Sequence, residues 1–362
     1  MSKSTDKAGL EAGRRRAVST AARLDPRHED ASGPERLIEI GWAFWQSKAL
    51  LSAVELDLFS LLAAEPLYLE ELVARLGLAG RGARDFFDAL VSLEVLQRDT
   101  AGRYANSPEA ARYVDRSSSD YIGGALQRLN ADGFSPWGAL TQALRTGKPQ
   151  DTRLGRGFEH LYEDDDARAQ FLNGMLGGVL FPARALAEKF PWKKYRTIID
   201  IGAAQGCCLV QIALRHRHIR GHGLDLPPVG PFFDAYVRAN DLSDRLTFLP
   251  ADFFADPLPK GDVLIFGRVL HNWNLEAKLL LLRNAYAALP RGGALIIYET
   301  LIDNARRCHT HALLQSVNML IMTESGFDYT AAECFGWLEE AGFRHSRAEA
   351  LACQHTMIVA TK

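Results

Sequence analysis

From about residue 190 onward, short apolar runs alternate with segments of helical character, and most of the runs stop on an acid or a glycine. That rhythm constrains the fold more than any other feature of the chain. "RTIIDIG" reads as a buried strand, "CCLVQIALRHR" as a helix, "IRGHGLDL" as a strand and "FFDAYVRAND" as a helix. The order continues through "RLTFLPADFF", "DVLIFGRVL", the helix "LEAKLLLLRNAYAAL" and the strand "ALIIYET". Continuous apolar strands joined by helices imply an α/β domain whose parallel sheet is covered on both faces. "HSRAEALAC" and "QHTMIVATK" follow with only a short link, which predicts an antiparallel hairpin at the sheet edge. Ligands of such open sheets bind at the carboxyl ends of the strands.

Upstream the pattern differs. Residues 1–35 are polar and rich in Arg, Asp, Ser and Ala, the composition of a mobile arm. Residues 36–63 carry apolar side chains at helical spacing and predict one helix or a broken pair. A short helix, the turn "GLAGRG", a second helix and "EVLQRDTAGRYAN", two extended runs around a turn, then describe a winged-helix module over 36–110. Helical residues 111–190 link it to the domain at 191–362, as linker and substrate lid. A winged helix invites a DNA-binding regulator as the alternative. Its would-be recognition helix, however, carries Asp85, Asp88 and Glu94 against Arg84, a charge that repels phosphates.

Composition removes other classes. With 362 residues, 47% hydrophobic and a net charge of −2, the chain can bury two cores and has no general attraction to nucleic acid or anionic lipid. Its apolar runs, such as "GGALIIY", fall short of the roughly 20 residues of a membrane span. No apolar segment follows "RRR" at 14–16, so no signal peptide is expected. Five cysteines without a CxxC spacing suit a reducing cytoplasm and give a metal site no support.

Chemistry concentrates at the strand ends. "DIGAAQG" has glycines at 202 and 206 for a sharp turn and close ligand approach, with Asp200 at the strand end to accept hydrogen bonds. Asp225 ends the next strand, where an acid suits the two hydroxyls of a ribose. Asp252 and Phe253 end the third, an acceptor and a stacking ring suited to adenine. Three such ends in this order describe an adenosine site with an extra polar tail.

"DIGAAQG", "GLDLP", "ADFFADPLP", "RVLHNWN", "LPRGGALIIYE" and "SVNMLIMTESGFDYT" together resemble the class I S-adenosylmethionine-dependent O-methyltransferases of the caffeic acid and acetylserotonin type, from about residue 36 to the end. The resemblance implies a Rossmann-like catalytic domain and an N-terminal, mostly helical winged-helix dimerisation domain, hence a homodimer. It implies S-adenosylmethionine as methyl donor, S-adenosylhomocysteine as product and a small aromatic acceptor. By it, Asp225 holds ribose, Asp252 and Phe253 hold adenine, and Arg268 and Tyr162 lie by the cofactor. The helix bearing Asn318, Met319 and Met322 lines the acceptor site, as does Asn272.

His271 follows the strand "DVLIFG", where acceptor and cofactor would meet. A phenol ionises near pH 10, so an imidazole within reach can take its proton while the methyl group moves in line. Glu299 and Asp328 match the two family carboxylates that flank this histidine. The chain departs from its relatives at Ala203, Ala204 and Gln205, where glycines and threonine are common, and at Asn272 and Asn274, where aspartates are common. "RHRHIRGH" reads as a solvated basic turn, "EDDD" at 163–166 as a helix start, and Cys207 and Cys208 as packing residues. C- or N-methylation and a non-methylating use of the same scaffold remain alternatives.

Overall fold

The structure is a computed structural model that describes residues 33–151 and 153–362. The polar arm expected at residues 1–35 thus lies, except for its last three residues, outside the described residues. The chain divides into two compact units, residues 1–40 and 41–362. The first described helix begins in the first unit, and every later element belongs to the second.

The helical run expected at 36–63 is a broken pair, Glu35–Glu55 and Leu58–Ala64. Asp57, at φ 56°, turns the chain between them. Helix Ala83–Ser92 shows why this region folds: Ala83, Phe87 and Leu90 recur at i, i+4 and i+7 and are all buried. They pack with Phe59, Leu62, Leu72 and Tyr104. The hairpin of β1 (Leu96–Arg98) and β2 (Tyr104–Asn106) follows. Asp99 closes its turn by accepting from the amides of Ala101 and Arg103.

Helices Gly123–Arg128 and Phe158–Glu163 lead to the long helix Asp165–Lys189. Asp164 caps that helix by accepting from Ala167 N at 2.8 Å, so the "EDDD" run marks a helix start.

Seven strands complete the fold: β3 (Thr197–Ile201), β4 (Arg220–Asp225), β5 (Leu246–Pro250), β6 (Val263–Gly267), β7 (Ala294–Glu299), β8 (Arg344–Ala350) and β9 (Thr356–Thr361). Their order is β5-β4-β3-β6-β7-β9-β8. β3 to β7 are mutually parallel, and β9 runs antiparallel to β7 and β8, which is the expected hairpin. The central strands are buried on both faces, with Ile198 and Ile296 facing one core and Ile199 and Ile297 the other. The chain steps outward from β3 to β5 and then returns to β6, so the order reverses between β3 and β6. A crevice at the carboxyl ends is the expected consequence.

Candidate active site

The crevice opens where the sequence places its acids. Gly202 (φ 72°) and Gly206 (φ 81°) turn the chain after β3. A Cβ on Gly202 would come within 2.7 Å of Val269, so only glycine leaves this cradle open. The amides of Gly202 and Ala203 donate to Leu224 O at 2.8 and 3.1 Å and fix the loop to β4. Ala204 sits in the left-handed region at φ 48°, a conformation that costs a non-glycine residue about 1–2 kcal/mol. Its N–H gains a partner there, donating to Asp225 Oδ2 at 2.9 Å, while Leu226 N donates to Oδ1 at 2.8 Å. Burial pushes the Asp225 carboxyl up to about 6, and these two bonds oppose the rise.

Tyr162, Gly202, Asp225, Asp252, Phe253, Arg268, His271, Asn272, Asn318 and Met322 all border one cavity of about 310 Å³, within the range of small-molecule sites. Four of the expected site residues stand behind it. Asp200 borders a smaller adjoining cavity with Gly202 and Tyr298, and burial followed by the Asp225 charge pushes its carboxyl up to about 8. Gly206 backs onto Phe233, and Glu299 and Asp328 are buried beneath His271.

His271 lies on the 3-10 turn Leu270–Asn272 just beyond β6. Its Nδ1 is 3.2 Å from Asp328 Oδ1, with both side chains buried. Glu299 does not reach the ring: its Oε1 accepts from the main-chain N–H of His271 at 3.1 Å. The two carboxylates therefore divide the task, one holding the ring and the other the backbone. Burial raises the Glu299 carboxyl, and the neighbouring His271 opposes that rise. Asn272 holds its own turn by donating to Arg268 O at 3.1 Å, and Asn318 Oδ1 accepts from Trp137 Nε1 at 2.8 Å.

An aromatic wall closes the side near Phe253. Phe254 and Trp273 meet edge to face at 4.7 Å, and Phe253 and Phe158 pack on the same indole. The Trp273 N–H is buried without a protein partner among the described residues.

Lys278 is a residue that the sequence reading does not single out. It is 0% exposed, and Nζ donates to Trp273 O at 2.6 Å and to Phe327 O at 3.1 Å, 3.2 Å from the Phe327 ring centroid. The signal was present: Lys278, Leu281, Leu282 and Ala285 form the buried stripe of helix Leu275–Ala288.

Other features resolve as packing. Cys207 and Cys208 are buried, and burial pushes the Cys207 thiol up to about 12, far from a reactive thiolate. The turn "RHRHIRGH" is not merely solvated. His216 Nε2 engages Ala187 O at 2.7 Å and His218 Nε2 engages Trp192 O at 3.1 Å, because the preceding helix ends against these carbonyls. Among the described residues, no group of three or more His, Cys, Asp or Glu converges as metal ligands do.

A sheet of this order, with one antiparallel strand and acids along its carboxyl rim, defines a class I methyltransferase domain. A family model for the O-methyltransferase domain matches residues 137–344, and one for the O-methyltransferase dimerisation domain matches residues 38–116. The tetracenomycin polyketide synthesis 8-O-methyl transferase TcmO of Streptomyces glaucescens is 40% identical over 338 residues, 92% of this chain and 98% of that protein. The N,N-dimethyltransferase OxyT of Streptomyces rimosus is 36% identical, over 86% of this chain and 91% of its own. The crystal structure of human N-acetylserotonin methyltransferase in complex with S-adenosylmethionine has a TM-score of 0.85 at 25% identity, covering 92% and 99% of the two chains. The chain belongs to the S-adenosylmethionine-dependent O-methyltransferase family. The open glycine cradle, the paired Asp225 carboxylate and the unpartnered indole N–H fit that cofactor.

Proposed function

We propose that this enzyme methylates a phenolic hydroxyl of a small aromatic acceptor, with His271 as general base. The observation that carries this is His271 on the cavity wall with Asp328 behind it, paired to Nδ1. A carboxylate only accepts, so Nδ1 carries the hydrogen and Nε2 is left to receive a proton. When bound, S-adenosylmethionine supplies a methyl group on a sulfonium. Asp225 would accept from the ribose hydroxyls, Asp252 and Phe253 would hold the adenine, Tyr162 would border the methionine end, and Arg268 would lie by the cofactor. Asp200, Gly202 and Gly206 shape the loop. Asn272, Asn318 and Met322 face the acceptor, whose rings find Phe158, Phe171 and Trp273. With the hydroxyl held in line with the methyl group, His271 would take its proton and leave a phenolate oxygen, a better nucleophile than the neutral phenol.

An aromatic acceptor agrees with relatives named for tetracenomycin polyketide synthesis and for 3-hydroxy-5-methyl-1-naphthoate 3-O-methylation. An amine acceptor is the second reading, favoured by the N,N-dimethyltransferase relative. We assign 36–110 to a winged-helix dimerisation domain, 111–190 to linker and lid, and 191–362 to catalysis, in a cytoplasmic homodimer. No helix among the described residues is long and apolar enough to cross a membrane.

Incubating the full chain with S-adenosylmethionine and a panel of phenols and aryl amines tests the function. One added methyl on oxygen is expected. Methylation confined to nitrogen, or turnover without methyl gain, would overturn it.

A further inference from the structure

The cavity holds a charge that the chemistry above does not use. Arg128 ends helix Gly123–Arg128, and the chain then widens into a π-helical turn, Leu129–Gly133, before resuming α-helix at Phe134. Such turns are rare and concentrate at functional sites. The Arg128 stem lies on Gly174 of helix Asp165–Lys189, where a Cβ would stand 2.6 Å from its Cδ. One turn further, a Cβ on Gly178 would stand 3.0 Å from Arg268 Nη1. Glycine inside a helix is destabilising, so two of them at i and i+4, each under an arginine, mark a built feature.

The Arg128 guanidinium borders the cavity with its Cζ 4.7 Å from the Phe171 ring centroid. Its Nε is buried without a partner, and among the described residues the side chain makes no hydrogen bond and no ion pair. Two acids act on it by charge without an ion-pair contact: Asp132, which faces Arg153 at 3.5 Å, and Asp151, which accepts from the amides of Arg153 and Leu154. Burial and the adjacent Arg268 charge draw Arg128 down to about 10, with Asp132 and Asp151 opposing, which leaves it a cation at neutral pH and, among the described residues, one without an anion in contact.

We infer that Arg128 is a specificity-determining residue that pairs with an acidic group on the acceptor, so that the acceptor is a hydroxylated aromatic carboxylic acid. This rests on the aromatic methyl-acceptor reading above. The geometry assigns the partner to the acceptor because Arg128 stacks on Phe171, and neither helix Gly123–Arg128 nor helix Asp165–Lys189 carries a residue assigned to the cofactor. A guanidinium matches a carboxylate with two parallel hydrogen bonds, and stacking on Phe171 fixes its plane.

The test titrates hydroxynaphthoic acids and their methyl esters into the full-length enzyme loaded with S-adenosylhomocysteine. The acids should bind about ten-fold or more tightly than their esters. Arg128→Met should abolish that preference and Arg128→Lys should keep part of it, with S-adenosylmethionine affinity within about two-fold of the parent in both, which also reports folding. An acid-to-ester ratio near one in the parent, or no binding by either, overturns the inference. So does an Arg128→Met loss that falls on S-adenosylmethionine, since the guanidinium would then serve the cofactor's carboxylate. If neutral phenols are methylated as well as their acids, only this inference fails. If no phenol is methylated, the function itself fails.

Discussion

The Asp328 carboxylate stands 3.2 Å from Nδ1 of His271, while the backbone of that histidine is held by a different acid, Glu299. The ring can therefore be perturbed without moving the turn that carries it. His271→Ala should leave S-adenosylmethionine affinity nearly intact and lower turnover roughly 10²- to 10⁴-fold, with a residual rate that climbs as the phenol ionises by itself. Asp328→Asn offers Nδ1 an amide donor and favours the tautomer with Nε2 protonated, so kcat should fall on the order of 10²-fold at unchanged KM. Steady-state kinetics across pH checks both. Parent-like turnover in His271→Ala would make the histidine architectural.

Lys278 ties the two halves of this pair together from behind. Trp273 O follows His271 by two residues and Phe327 O precedes Asp328 by one, and both accept from the same ammonium. Removing it leaves two buried carbonyls without a donor, at about 1–3 kcal/mol each. Burial also draws Lys278 down to about 8, with Glu299 and Asp328 opposing, so the folded state loses this proton before the unfolded state does. Its burial therefore weighs against folding below about pH 8 and is progressively relieved from there to about 10.4. Lys278→Met should show both effects: net destabilisation at pH 7 and a kcat reduced more than KM is raised. Urea unfolding and kinetics read them, and a variant with parent kcat would confine Lys278 to stability.

Asp225→Ala should weaken S-adenosylmethionine binding by about 1.5–3 kcal/mol, because a charged acceptor to the ribose is lost. With its carboxyl at about 6, the parent's affinity should also decline as pH falls below that value, and the variant's should not. Calorimetry at two pH values decides. Unchanged affinity in the variant would remove Asp225 from the cofactor site.

Asp200 makes a prediction about stability. Its folded carboxyl titrates at about 8 against an ordinary value near 3.9. Between these values the folded state keeps a proton that the unfolded state has lost, so the stability present below about pH 4 is lost as pH rises towards 8. Asp200→Asn, which cannot ionise, should flatten that decline and melt higher than the parent above pH 8 without cofactor. Parallel melting curves for the two proteins from pH 5 to 9 would refute it.

Much of this was legible because it depends on local periodicity. Both-face burial makes "TIIDI" and "VLIFG" continuous apolar runs, and an acid that ends such a run must lie on the carboxyl rim. The division between Glu299 and Asp328 was not legible, since it turns on which atom of His271 each strand or loop end reaches. Ala204 is similar: the sequence shows an alanine where relatives have glycine, and the structure puts it at φ 48° with an Asp225 bond in return. Arg128 and Lys278 are ordinary cations in sequence. Only tertiary packing gives Lys278 a ring and two carbonyls and, among the described residues, leaves Arg128 without an anion in contact.

The remaining prediction concerns assembly. Helix Glu35–Glu55 buries only Leu51, Ala53 and Val54, near its end. Before them Trp42, Phe44 and Trp45 are 55%, 55% and 57% exposed, and the two indoles stack at 5.4 Å with their planes 6° apart. A stacked pair of this size on an exposed helix face calls for a partner, and the O-methyltransferase dimerisation domain matched at 38–116 contains it. The full chain should scatter light as a dimer at micromolar concentration. Trp42→Asp combined with Trp45→Asp should shift it to monomer while leaving the far-ultraviolet spectrum unchanged, since both side chains project from a helix that keeps its backbone bonds. A chain beginning near residue 110 should be monomeric or aggregate. If either altered chain remains a well-behaved dimer, the subunits meet through another surface.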